Sequence, residues 1–128
     1  MTAKDVVQNF WDAMQSNDFA KASKLLSEDY ELTWPMSGER IIGRDNFVAV
    51  NSYYPANGHW DFTIHSLLAE GDRVVSDVGV TDGVVKARAI TYSTVKNNQI
   101  VRQFEFWPDP YEAPAWRKQW VTKIDQKQ

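Results

Sequence analysis

The chain contains no cysteine. Disulfides, thiolate metal sites and a cysteine nucleophile are therefore excluded, while either redox compartment stays open. Histidine is scarce as well, with two residues, His59 and His65. Basic residues are in deficit: 14 Lys and Arg against 17 Asp and Glu give a formal charge of −3. The basic stripe of a nucleic-acid-binding protein is thus missing. No stretch approaches the ~20 apolar residues of a membrane span, and the first residues lack the apolar run of a secretion signal. These absences predict a cytoplasmic protein with neither nucleic-acid nor membrane partners. Gly-rich phosphate loops and the Gly-x-Ser-x-Gly elbow are also absent, so nucleotide cofactors and serine-hydrolase chemistry have no sequence support. No cofactor is expected.

What the chain has in surplus is aromatic rings. Its 6 Trp, 5 Tyr and 6 Phe make up 13% of 128 residues, the length of one domain. The core of so small a domain needs fewer, so some are expected to line a cavity, a groove or a subunit interface. The 43% hydrophobic and 24% charged shares are those of an ordinary globular protein.

Thr2 and Asp5 form a capping-box pattern before Val6, Val7, Phe10, Trp11 and Met14, which recur at helical spacing. They predict a helix from about Thr2 to Ser16. Asp18 can cap a second helix burying Phe19, Ala22, Leu25 and Leu26, ended by Ser27-Glu28-Asp29. Tyr30 to Trp34 alternates as a short strand, and Ile41 to Arg44 reads as a connector. Asp45 caps a third helix through Phe47, Val50 and Tyr54, stopped by Pro55. From Gly58 the period becomes two. Strands through Trp60–Ile64, Val74–Val80, Val84–Lys96 and Ile100–Trp107 are separated by turns at Glu70-Gly71-Asp72, Thr81-Asp82-Gly83 and Asn97-Asn98. Trp116 and Trp120 suggest a short C-terminal helix that caps the mouth of the fold or packs on a partner, and the tail Lys123 to Gln128 is polar and expected to fray. Helices preceding an antiparallel meander indicate a single α+β domain over residues 1–128. A sheet curled around helices leaves a hollow that would accept the surplus aromatics.

Several short segments carry a family resemblance over about residues 4–109. They are Phe10-Trp11-Asp12-Ala13-Met14, Asn17-Asp18, Leu25-Leu26, Asp29, Trp34-Pro35 and Gly43-Arg44-Asp45, then Gly71-Asp72-Arg73-Val74-Val75, Asn98-Gln99-Ile100-Val101 and Glu105-Phe106-Trp107 with Asp109. In this order and spacing the chain resembles the SnoaL-like, polyketide-cyclase-like branch of the nuclear-transport-factor-2-like superfamily. The resemblance implies a cone: three N-terminal helices on a curved, mainly antiparallel sheet enclosing a pocket, often as a homodimer. The superfamily holds cyclases, isomerases, epoxide hydrolases, dehydratases and non-catalytic binding domains, so fold alone does not name an activity.

Glu105 is the candidate catalytic residue. Alternation puts Val101, Gln103, Glu105 and Trp107 on one strand face and Ile100, Arg102, Phe104 and Phe106 on the other. The resemblance implies an inward acid at the position of Glu105. Against an aromatic wall such a carboxyl loses hydration, its pKa rises, and it suits general acid–base work. The alternative is an outward Glu105 paired with Lys86 or Arg88. By the same resemblance, Val78 and Val80 stand where the epoxide hydrolases carry an Arg and an acid, which argues against that chemistry, and the full set of groups used by the steroid isomerases finds no match. Asp77 and Arg88 are expected to form an outward cross-strand ion pair, although an inward Arg88 would bind a substrate carboxylate. His59 and His65 are ~20 Å apart along an extended strand, too far to share a metal ion, so no metal site is expected.

The expected pocket is walled by Trp11, Met14, Trp34, Tyr54, Trp60, Gln103 and Trp107. Its ligand would be a hydrophobic small molecule. The function expected is cofactor-free isomerisation, cyclisation or dehydration of a hydrophobic carbonyl compound. The alternative is a non-catalytic ligand-binding or dimerisation module with the same fold.

Overall fold

A computed structural model describes residues 1–125. The expected fraying of the tail falls in part on 126–128, outside the described residues. Helix α1 (Ala3–Gln15) starts at the predicted capping box: Asp5 donates its N–H to Thr2 Oγ1 at 3.1 Å, and its carboxylate accepts the Thr2 N–H at 3.0 Å. Val6, Val7, Phe10, Trp11, Ala13 and Met14 form its buried stripe. The helix stops at Asn17, which takes a left-handed φ of 61° that Asn tolerates better than most residues. Asn17 then acts as a splice. Its amide donates to the Trp60 carbonyl and its carbonyl accepts the Trp60 N–H, both at 2.8 Å. Gln15 does the same one step on, accepting from Phe62 N at 2.7 Å and donating to Asp61 Oδ1 at 2.9 Å. The helix end is thereby tied to the start of a strand more than forty residues away in sequence.

Helix α2 (Phe19–Ser23) is capped by Asp18, as its sequence predicts, but is a single short turn. The reading that it extends through Leu25 and Leu26 to a stop at Ser27-Glu28-Asp29 is corrected. Strand β1 already begins at Leu26 and runs to Trp34. Burial explains the difference: Leu26 and Tyr30 are fully enclosed against the sheet, and tertiary packing overrides the helical spacing. The connector expected around Ile41-Ile42 is also corrected. Glu39–Ile42 is strand β2, which forms a hairpin with β1 in the register Leu32 opposite Ile41. Helix α3 (Arg44–Tyr53) has Gly43, not Asp45, at its N-cap and makes no side-chain cap bond. Asp45 sits in the first turn instead, where its charge suits the helix dipole.

Strands β3 (Asp61–Glu70), β4 (Arg73–Thr81), β5 (Lys86–Lys96) and β6 (Gln99–Phe106) form the expected meander. The full sheet is curved and unclosed, with six strands in the order β2-β1-β6-β5-β4-β3. Only the β1–β6 pair is parallel. Besides an irregularity of β1 between Leu26 and Glu31 against β6, two bulges alter the strand faces. One falls at His65, between the pairs Ile64–Val78 and Ser66–Asp77. The other falls at Val101, between Val95–Ile100 and Thr94–Arg102. An extra residue reverses the alternation, so Ile100, not Val101, faces inward with Gln103 and Glu105. The three helices lie on the concave face. Phe10, Trp11, Phe47, Tyr30, Leu32 and Val78 belong to the core between helices and sheet.

Candidate functional site

The inward face of the sheet is polar where the register stacks small hydroxyl residues beside Gln103 and Glu105. Thr91 on β5 stands directly opposite Glu105 on β6, and Ser93 opposite Gln103. Ser76 on β4 stands opposite Thr91. On the other side of β6, Leu32 pairs with Gln103 and Thr33 with Phe104, which brings Trp34 alongside Glu105. Cross-strand pairing alone therefore assembles the row Ser76, Thr91, Glu105, Trp34.

Every member of this row is hydrogen-bonded. Trp34 Nε1 donates to Glu105 Oε1 at 3.0 Å, and Trp107 Nε1, just beyond β6, donates to the same oxygen at 2.9 Å. Thr91 Oγ1 lies 2.7 Å from Glu105 Oε2. Trp11 Nε1 donates to Ser76 Oγ at 3.1 Å. Beside the row, the Tyr30 hydroxyl donates to Gln103 Oε1, and Gln103 Nε2 donates to Ser93 Oγ at 3.0 Å. Indole N–H groups only donate. Oε1 of Glu105 is therefore an acceptor in either protonation state, and a proton on this carboxyl belongs on Oε2. The Thr91 hydroxyl suits both states, since it can donate to the carboxylate or accept from the acid.

Burial raises the pKa of Glu105 above the usual carboxyl value, while the Trp34, Thr91 and Trp107 donors pull it back. Burial, with a smaller contribution from the Glu105 charge, pushes the Tyr30 phenol well above its ordinary value. Glu105 takes part in no ion pair among the described residues, so the outward alternative with Lys86 or Arg88 is not what forms. Arg88 instead clasps Asp77 through both Nε and Nη2 across β4 and β5, away from the cavity. That pairing holds the Asp77 carboxyl below its ordinary pKa.

Above this floor lies a cavity of about 220 Å³. Glu105, Gln103, Trp11, Met14, Trp34, Tyr54, Trp60 and Trp107, the candidates named from sequence, all contribute to its wall. Phe10, Phe19, Phe47 and Phe62 add further rings from the helices and β3. Val80 also lines it, and Val78 is buried beneath, so the two positions compared with the epoxide hydrolases are inward and apolar. Trp116 and Trp120 do not cap the mouth. They lie on a 3-10 helix, Ala115–Trp120, and are 73% and 70% exposed. His59 sits 3.6 Å from Asp61, whereas His65, turned by the bulge, lies over Gly79. No cluster suited to a metal ion occurs among the described residues.

Sequence reading missed Thr91, Ser93 and Tyr30, which fix the orientation of Glu105 and Gln103. The alternation Ala87, Ala89, Thr91, Ser93, Val95 carries the signal for one face of β5, but only the register decides that Thr91 meets Glu105. Asp82 was read as a turn residue and does more. Its carboxylate accepts N–H groups from Asn57 at 2.9 Å, Val84 at 3.0 Å and Val85 at 2.8 Å, so it joins the loop after α3 to the β4–β5 hairpin at the cavity rim. These bonds lower its pKa to about 2.

Residues 7–103 match the family model of the SnoaL-like domain. No curated protein matches the chain. Among solved structures, a Kribbella flavida protein provisionally named a ketosteroid isomerase is 27% identical, with a TM-score of 0.88 over 97% of this chain and 90% of its own. A nuclear-transport-factor-2-like protein of unknown function from Burkholderia xenovorans is 28% identical, with a TM-score of 0.78 over 96% and 95% of the two chains. A Shewanella denitrificans protein, provisionally a SnoaL-like polyketide cyclase, shares the fold at 15% identity, with a TM-score of 0.69 over 83% and 90%. With the matched segment spanning most of the sequence and the cone fold in place, the chain belongs to the SnoaL-like family of the nuclear-transport-factor-2-like superfamily.

Proposed function

We propose that this chain is a cofactor-free acid–base enzyme that isomerises, cyclises or dehydrates a hydrophobic carbonyl compound, with Glu105 moving the proton. The observation that carries this reading is one buried carboxyl, fixed by Trp34, Trp107 and Thr91, in the floor of an aromatic cavity. Its raised pKa brings it toward neutrality, where a proton carrier works best. Trp34, Tyr54, Trp60 and Trp107 would hold the substrate as flat apolar walls. Gln103 has both ends of its amide engaged by Tyr30 and Ser93, which suits it to shaping the floor.

The same proposal includes a homodimer in the cytoplasm. Support for the dimer comes from Tyr92 and Phe104 on the outer sheet face, 41% and 45% exposed, which are large apolar side chains to leave in water. No helix among the described residues is long and apolar enough to cross a membrane.

The test is hydrogen–deuterium exchange at the α-carbon of hydrophobic cyclic ketones and enones incubated with the protein in D2O, followed by NMR. Enzyme-dependent exchange that Glu105→Gln abolishes is the expected result. Ketones that bind without exchange would shift the assignment to the alternative, a non-catalytic ligand-binding module with the same pocket.

A further inference from the structure

We infer that the ligand of this cavity carries a positively charged nitrogen, as a protonated or quaternary amine, seated among the aromatic rings beside Glu105. This rests on the small-molecule pocket proposed above and adds the charge of the molecule it holds.

The first argument is the inventory of the wall. Nine aromatic rings line the cavity, and no Lys, Arg or His does so among the described residues. Glu105 is the one carboxyl there. Aromatic faces carry negative quadrupole potential and attract cations, more strongly where water is excluded. Rings and carboxylate thus act in the same direction on a ligand.

The second argument is hydrogen-bond capacity. The indole N–H groups of Trp11, Trp34 and Trp107 are already committed to Ser76 and Glu105. Gln103 is engaged at both ends. Asn51 spends one of its two amide hydrogens on the Phe47 carbonyl at 2.9 Å, and its carbonyl oxygen is left as an acceptor. The side-chain donors left in the wall, the Trp60 indole N–H, the Tyr54 hydroxyl and the second amide hydrogens of Asn51 and Gln103, are all neutral, so no charged donor is there to meet an anion. The wall offers acceptors and π faces, the complement of an ammonium group.

The third argument is the missing counter-ion. A buried carboxylate ordinarily needs an opposite charge close by. The ion pairs of the described residues, Arg44–Glu28, His59–Asp61, Arg88–Asp77 and Arg102–Glu31, all lie outside the cavity wall. A cationic ligand would supply what the chain does not.

The experiment compares phenyltrimethylammonium with its uncharged isostere tert-butylbenzene. Binding is followed by tryptophan fluorescence and by NMR shifts of cavity residues, in the wild type and in Glu105→Gln. The substitution keeps an oxygen for the two indoles and a donor for Thr91, so the fold should persist, and circular dichroism checks this. Trp60→Ala, which removes a ring and leaves the carboxylate, is the second variant. The cation should bind about tenfold or more tighter than the isostere. That preference should vanish in Glu105→Gln and shrink in Trp60→Ala, with the isostere's affinity in Glu105→Gln unchanged within about twofold. Equal or tighter binding of the isostere, or a preference that survives Glu105→Gln, would overturn the inference while leaving the pocket in place. Failure of both probes to perturb any cavity residue would overturn the inference and the pocket reading together.

Discussion

Replacing Glu105 by Gln should make the ligand-free protein's stability less dependent on pH, and the structure fixes the sign. Below the ordinary carboxyl value of 4.5, Glu105 is protonated in both folded and unfolded chains, and burial costs no charge. As pH rises, the unfolded chain ionises freely while the folded chain resists, because burial holds the folded pKa above that value. Stability contributed by the neutral acid is therefore fully present below the unfolded pKa and is lost as pH rises through the folded one. The loss amounts to about 1.4 kcal/mol for each pKa unit separating the two states, an appreciable part of the ~5–15 kcal/mol that holds a domain together. Glutamine has no charge to bury. Its carbonyl oxygen can accept from Trp34 and Trp107, and its amide can donate to Thr91, so the contacts of the wild type persist. Urea unfolding of both proteins from about pH 4 to 8 gives the difference curve directly. The carboxyls held low in the fold, Asp5, Asp29, Asp77 and Asp82, titrate in both proteins and cancel. The wild type should fall steadily against Glu105→Gln above about pH 4.5 and level off past the folded pKa. A flat or rising difference would mean that the three donors outweigh desolvation, and would refute the argument for a proton carrier.

Trp34→Phe removes one of the two indoles on Oε1. It should destabilise the protein by about 1.5–3 kcal/mol near pH 8, where the lost bond is charge-assisted, and by less near pH 4. The same unfolding series reads this. Tyr30→Phe leaves the fully buried Gln103 carbonyl without its donor and should cost about 1–3 kcal/mol, with little pH dependence between 4 and 8. Thermal denaturation at several pH values checks both points. Asp82→Ala should speed amide exchange at Asn57, Val84 and Val85, whose N–H groups it releases. In the wild type that protection is present above the ordinary Asp value of 3.8 and is lost only as pH falls through about 2. Exchange at pH 4 no faster in Asp82→Ala than in the wild type would contradict the role given to Asp82.

By itself the sequence determined the parts whose signals are local. The Thr2–Asp5 capping box set the start of α1, the 3.6-residue stripe from Val6 to Met14 set its buried face, and period two after Gly58 set the meander. The excess of aromatic rings led to the expectation of a cavity, and alternation grouped Glu105 with Gln103 and Trp107, while the inward reading of that face came from the family resemblance. Tertiary structure decided what depends on partners distant in the chain. Leu25-Leu26-Ser27 reads equally well as a helix end or a strand start, and only packing of Leu26 and Tyr30 on the sheet chose β1. The bulges at His65 and Val101 are registers between strands, and a register has no signature within either strand alone. The site itself is of this kind. Thr91 reaches Glu105 because β5 and β6 pair without a slip from Ile90 to Thr94, and Trp34 reaches it because β1 runs parallel to β6. The identity of each residue was written locally, while the pKa of Glu105 and the aromatic lining of its cavity arose only when strands separated by tens of residues closed around it.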